Sequence, residues 1–219
     1  MVNQVRNLKY VLVLATLASF AATVGDFLML YVVNAGGEIL HLPPPGTSVL
    51  TVGYFLGVFA IPLYGIGFWA VAKILAAETP FAGMVVFVSG VIMAVLGGII
   101  HGVTGISIEA QVRAGGIMKE PIEAIFDYGV FLLPLWGAAS ILSFIGSVGF
   151  ARGVASGNSI LPRYISIFNP VVLTACVVLA GAATPMLQAF LIPAAPNVAH
   201  VIFFGLVTVS VIKGNRQKI

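Results

Sequence analysis

From Tyr10 to Val33 the chain carries a single charged side chain, Asp26, in an otherwise apolar run. As a helix rising about 1.5 Å per residue, that run outspans the roughly 30 Å hydrocarbon core of a bilayer. Lipid offers no hydrogen bonds, so a backbone crossing it must satisfy its own polar groups, as a helix does. The rest of the chain is alike: 60% of its 219 residues are hydrophobic and 8% charged, against about 25% charged in soluble domains. An all-α, polytopic transmembrane helix bundle follows. A carboxylate deep in such a helix costs at least about 2.5 kcal/mol on the most lenient scale, so Asp26 must face the protein interior and is a candidate for function.

Apolar runs of spanning length place six helices at about 10–33, 50–75, 81–105, 124–150, 164–191 and 197–212, in one membrane domain covering 1–219. The first run is too long for a signal peptide and reads as a retained helix. Arg6, Lys9, Lys73, Arg152, Arg163, Lys213, Arg216 and Lys218 fall on one side of this topology, and Arg113 and Lys119 on the other. That asymmetry predicts cytoplasmic N- and C-termini in a bacterial inner (plasma) membrane. The loop after the third helix, Ile106 to Glu123, pairs an Ile/Val stripe with Glu109 and Arg113 at i,i+4, a pattern for a short interfacial helix.

Gly57-Val58-Phe59-Ala60-Ile61-Pro62-Leu63-Tyr64-Gly65 is echoed by Gly129-Val130-Phe131-Leu132-Leu133-Pro134-Leu135-Trp136-Gly137. The echo suggests duplicated helical hairpins, in which Pro62 and Pro134 would free backbone carbonyls beside Tyr64 and Trp136. Those two aromatics are then candidates for the floor of a binding pocket.

Polar residues gather at one depth. Asp26 and His101 come late in helices that rise outward, Thr184 and Gln188 close the fifth, and Asn197 and His200 open the sixth. Asp26, His101 and His200 are the candidate catalytic residues, with Tyr31, Tyr64, Trp136, Gln188 and Asn197 as substrate-binding candidates. Two histidines and a carboxylate also have the composition of a metal site, and paired histidines can ligate haem. Here they come from three helices with no local ligand spacing, so neither a metal nor another cofactor is expected. Nucleophile-elbow, phosphate-loop and zinc-protease motifs are absent from the sequence. A net charge of +3 is too small and scattered for nucleic acid. Acid/base chemistry remains, in which a desolvated carboxylate and an imidazole pass a proton across a bound substrate. Each residue also has a plainer role as interhelical hydrogen-bonding glue.

Gly25-Asp26 followed by Tyr31, the His101 helix, Leu161-Pro162-Arg163-Tyr164 leading into Phe168-Asn169-Pro170, and the stretch from Asn197 to Ser210 together resemble an uncharacterised bacterial six-helix integral-membrane family. The resemblance implies the six-helix architecture and, since that family has no assigned activity, carries over no catalytic residue.

The sequence therefore predicts a cofactor-independent intramembrane enzyme of isomerase, hydratase/lyase or cyclase type, acting on a lipid or lipophilic small molecule. A small-solute or proton-coupled transporter and a non-catalytic structural or sensory subunit are the alternatives, and a homo-oligomer is compatible with all three.

Overall fold

The computed structural model describes residues 2–30, 46–113, 129–156 and 159–216. Helix α1 is Val2–Leu30, and α2 (Thr47–Ala60) and α3 (Tyr64–Ala76) form one rod interrupted by a 3-10 turn at Ile61–Leu63. There follow α4 (Pro80–Arg113), α5 (Gly129–Ala155), a 3-10 turn at Arg163–Ile167, α6 (Pro170–Gly181) and α7 (Pro185–Arg216). Counting the α2–α3 rod once, these are six helices, and no strand occurs among the described residues. Five are long and apolar enough to cross a membrane: Asn7–Leu30, Thr47–Ala76, Pro80–Ala110, Phe131–Ala155 and Pro185–Gly214. Large apolar side chains such as Leu17, Phe20, Phe59, Phe81 and Phe144 are exposed on the outside of the bundle. This is the surface of an integral membrane protein, whose exterior is solvated by lipid.

The last third of the chain differs from the sequence expectation. Instead of spans at 164–191 and 197–212, a short α6 precedes a long α7, with the break at 182–184. Two cap-and-proline pairs set these boundaries. Asn169 Oδ1 accepts from the Val172 amide at 3.2 Å, with Pro170 opening α6. Thr184 Oγ1 accepts from the Leu187 amide at 3.2 Å, with Pro185 opening α7. An oxygen side chain followed by proline is a strong helix start, because proline has no amide to leave unpaired there. Pro193 and Pro196, which fall between the two expected spans, lie inside α7; in a packed membrane bundle neighbouring groups can take up the two carbonyls they free. At roughly 18 Å, α6 is too short to cross a bilayer alone.

Two other expectations change. α4 runs on to Arg113, so 106–113 extends a spanning helix instead of starting an interfacial one; the remainder of that segment lies outside the described residues. The 57–65 and 129–137 echo does not create equivalent environments. Pro62 sits in the mid-rod 3-10 turn and Tyr64 is 1% exposed, whereas Pro134 lies near the start of α5 and Trp136 is 43% exposed on the bundle surface.

Glycines set the register between helices. A Cβ on Gly90 would strike Phe68, one on Gly83 the backbone of Ala72, and one on Gly67 would meet Ala15 and Phe204. Asp26 meets Asn197 and Thr16 lies nearest Gly205, so α1 and α7 are antiparallel, and the start of α1 and the end of α7 lie at one end of the bundle. The interior is filled from α3 and α7 by Tyr64, Phe68, Val71, Leu75, Phe203, Phe204 and Val207.

Candidate functional site

Ser19, Thr23 and Asp26 recur at i, i+4 and i+7 on α1, so they share one face, and all three are buried. The two hydroxyls donate to carbonyls one turn back, Ala15 O at 2.8 Å and Ser19 O at 2.9 Å, so their protons are satisfied within α1. Asp26 has no such recourse, and two other elements supply its contacts.

His101 of α4 places Nδ1 3.2 Å from Asp26 Oδ1 and Nε2 3.2 Å from the carbonyl oxygen of Gly53 in α2. On the far side, Asn197 of α7 donates from Nδ2 to Asp26 Oδ2 at 2.5 Å, and its Oδ1 accepts from the Tyr64 hydroxyl at 2.7 Å. The result is a directed chain of hydrogen bonds, Tyr64 to Asn197 to Asp26, then His101 to the Gly53 carbonyl. Tyr64, Asp26, His101 and Asn197 are each at most 8% exposed.

The partners count the protons. A carbonyl only accepts, so Nε2 of His101 must carry hydrogen. The Nδ1–Oδ1 contact then needs one further proton, held either as imidazolium and carboxylate or as neutral imidazole and carboxylic acid. Both arrangements are neutral overall. A neutral pair avoids the cost of an isolated buried charge, and the second carboxylate oxygen is satisfied by an amide that Tyr64 orients. One shared proton therefore lies between α1 and α4.

Small residues bring the helices close enough for this. A Cβ on Gly57 would fall on the His101 ring, and one on Gly25 would lie 2.8 Å from Gly53 O and 3.2 Å from Gly57 N. With glycine at all three positions the α1 and α2 backbones touch, which brings the Gly53 carbonyl within reach of His101. Sequence reading passed over Gly53 and gave Gly25 and Gly57 no role in helix packing. The Gly53-x-x-x-Gly57 spacing on one helix face was the available signal.

His200, expected to share the proton, stands apart. Its Nδ1 lies 2.6 Å from Pro196 O, which fixes hydrogen on Nδ1 and leaves Nε2 an acceptor, buried and without a hydrogen-bond partner among the described residues. Its ring packs at 4.9 Å from that of Tyr64 and 5.7 Å from that of Phe68. It meets the chain of hydrogen bonds at the Tyr64 ring. Among the described residues no three His, Cys, Asp or Glu side chains form a metal-ligating group, and both ring nitrogens of His101 are already engaged.

The substrate-binding candidates divide. Tyr64 and Asn197 join the Asp26 chain as partners of the carboxylate, with Asn197 inside α7 and not at a helix mouth. Trp136 and Gln188 are exposed, on α5 and at the start of α7, while Asp26 and His101 are buried. Tyr31 lies outside the described residues.

No curated protein and no solved structure matches this chain. A sequence family does, over residues 1–214, in agreement with a chain that folds as one all-helical bundle with five potential membrane spans. The protein belongs to that family, described as a family of unknown function, DUF6796.

Proposed function

We propose that the protein is an intramembrane enzyme that works by acid/base chemistry on a lipophilic small molecule, in an isomerisation, hydration, dehydration or cyclisation. The observation that carries this reading is the Asp26–His101 contact, a buried carboxylate and imidazole 3.2 Å apart with one proton between them. Asp26 and His101 act as general acid and base, passing a proton to and from carbon or oxygen of the substrate; Asn197 and Tyr64 keep the carboxylate oriented. None of these steps needs a nucleotide. The bundle sits in a plasma membrane with both termini inside, as the cation distribution favours.

Comparison of lipid extracts tests this. Membranes from cells making the wild-type protein, Asp26→Asn or His101→Ala should differ in the same lipophilic species, one accumulating and one disappearing in both variants. Extracts identical across all three, from folded proteins, would sink the enzyme reading.

A carrier is the second reading, and one observation favours it: every polar atom of the Asp26 chain has an internal partner, as in a sealed proton-binding state. Proteoliposome flux that requires Asp26 and His101 while the lipid extract stays constant would select it.

A further inference from the structure

Resting on that reading, we infer that the substrate's chain docks in an outward-facing groove between α1 and α2, and that α2 is the gate through which its head reaches the Asp26–His101 pair. The ligand class is a long, apolar lipid with a hydrogen-bonding head, such as a fatty or isoprenoid alcohol.

The groove, about 580 Å³, is walled by Leu17, Ala18 and Ala21 of α1 and by Phe55, Leu56 and Phe59 of α2. Thr51, its one hydroxyl-bearing residue, turns that hydroxyl onto Thr47 O at 2.8 Å and presents no donor. Such a surface suits hydrocarbon and nothing charged. Its position beside the pair distinguishes it from other lipid-facing surface. Leu56 is a wall residue, and its Cβ would lie 3.3 Å from a Cβ on Gly25, the neighbour of Asp26. The next residue after Leu56 is Gly57, against which the His101 ring rests. A chain lying in the groove thus ends one helix backbone away from the shared proton.

That backbone is built to move. Within α2 the buried residues are Leu50, Gly53, Gly57 and Ala60, so its large anchors are Leu50 and the partly buried Tyr54, which packs with Met29 and Ile108 and lies over Gly105 of α4. At its end Pro62 cannot donate to Val58 O, and the Tyr64 amide instead reaches Ile61 O and Pro62 O in the 3-10 turn. Gly97 and Gly98 of α4 face this turn, so Ile61 and Pro62 meet no side chain from those two positions. Tilting α2 about Ile61–Leu63 withdraws the Gly53 carbonyl from His101 Nε2. The lipid head then takes the place of that carbonyl, accepting from Nε2–H.

The test uses the full-length protein in phosphatidylcholine nanodiscs with a diazirine-bearing long-chain alcohol as probe. Photolysis should put adducts on Leu17, Ala21, Leu56 and Phe59 several-fold above those on Ile141 and Phe144, equally lipid-facing residues of α5. Ala21→Trp, which fills the groove, should abolish the excess. The alcohol should also shift the His101 imidazole nitrogen resonances in the wild type and not in Ala21→Trp. Equal labelling of α5, or covalent dimers showing that a second copy occupies the groove, would overturn the docking site. Groove labelling with unmoved His101 resonances would overturn the gate. Asp26→Asn should keep the adducts, so labelling reports on the groove even if the lipid extracts dispose of the enzyme reading.

Discussion

α2 and α3 are two halves of one membrane-spanning rod, yet the bundle holds them in opposite ways. α3 buries Tyr64, Phe68, Val71, Ile74 and Leu75, and Phe68 alone packs against His200, Phe203 and Phe204. α2 buries mostly glycine and alanine and turns Val52, Phe55 and Phe59 outward. Interdigitating rings fix the first half; backbone proximity, Leu50 and Tyr54 packed with Met29 and Ile108, and one histidine-to-carbonyl hydrogen bond hold the second. Between lipid and protein interior the apolar transfer term largely cancels, so packing density separates the two halves. A helix held largely by backbone contact keeps a low local opening energy, and here that helix covers the Asp26–His101 pair.

The strongest way to break this contrast is to truncate one aromatic in each half. Phe68→Ala leaves a cavity among rings and should cost about 3–5 kcal/mol. Phe59→Ala, on a ring 69% exposed to lipid, should stay within about 0.5 kcal/mol of wild type. Reversible unfolding in mixed micelles measures both. Similar losses at the two positions would mean that α2 is anchored as firmly as α3.

Next in size is the polar tie itself. His101→Ala strips Asp26 of its proton partner, and Asp26→Ala does the reverse; each should destabilise by about 3 kcal/mol because an unpaired buried group remains. The double variant should lose clearly less than the sum. Hydrogen exchange sharpens the point: His101→Ala should speed exchange of α2 amides while α3 amides hold their protection. Uniform acceleration across the rod would deny α2 any independent movement.

The helical class and the number of helices were legible because both depend on long-range composition, which single residues hardly disturb; that only five of the six are long enough to span was not. Asp26 and His101 could be singled out because a charge in lipid is costly wherever it sits. Boundaries near Pro193 and Pro196 were not legible. The same proline ends a helix in water and is accommodated within a packed bundle, and only the neighbours decide. Gly53 escaped notice because its contribution is a carbonyl, a group every residue carries. His200 and Asn197 exchanged roles for a geometric reason: at i and i+3 they differ by about 60° around α7, enough to aim one at Asp26 and the other at Phe68.

Glycine substitutions give the finer resolution. In α2, a Cβ at Gly53 would lie 2.9 Å from Gly25 O, a backbone atom that cannot step aside, and 2.7 Å from Met29 Cγ, which can. Gly53→Ala should therefore cost about 1–3 kcal/mol by forcing α1 and α2 apart, and should weaken the His101 contact with the carbonyl at 53.

The smallest expected effect has the opposite sign. Gly65 lies in the first turn of α3, and a Cβ there would meet Val91 at 3.6 Å and 3.9 Å, ordinary contact distances that need no adjustment. Alanine also restricts the unfolded chain and prefers the helix, so Gly65→Ala should stabilise by up to about 1 kcal/mol. The substitution stiffens the residue just beyond the 3-10 turn without touching the groove, Asp26 or His101. If α2 pivots at Ile61–Leu63 and α3 stays fixed, α2 exchange rates should be unchanged while unfolding shifts upward. Slower exchange in α2 would mean that the bend extends into α3 and that the two halves of the rod move as one.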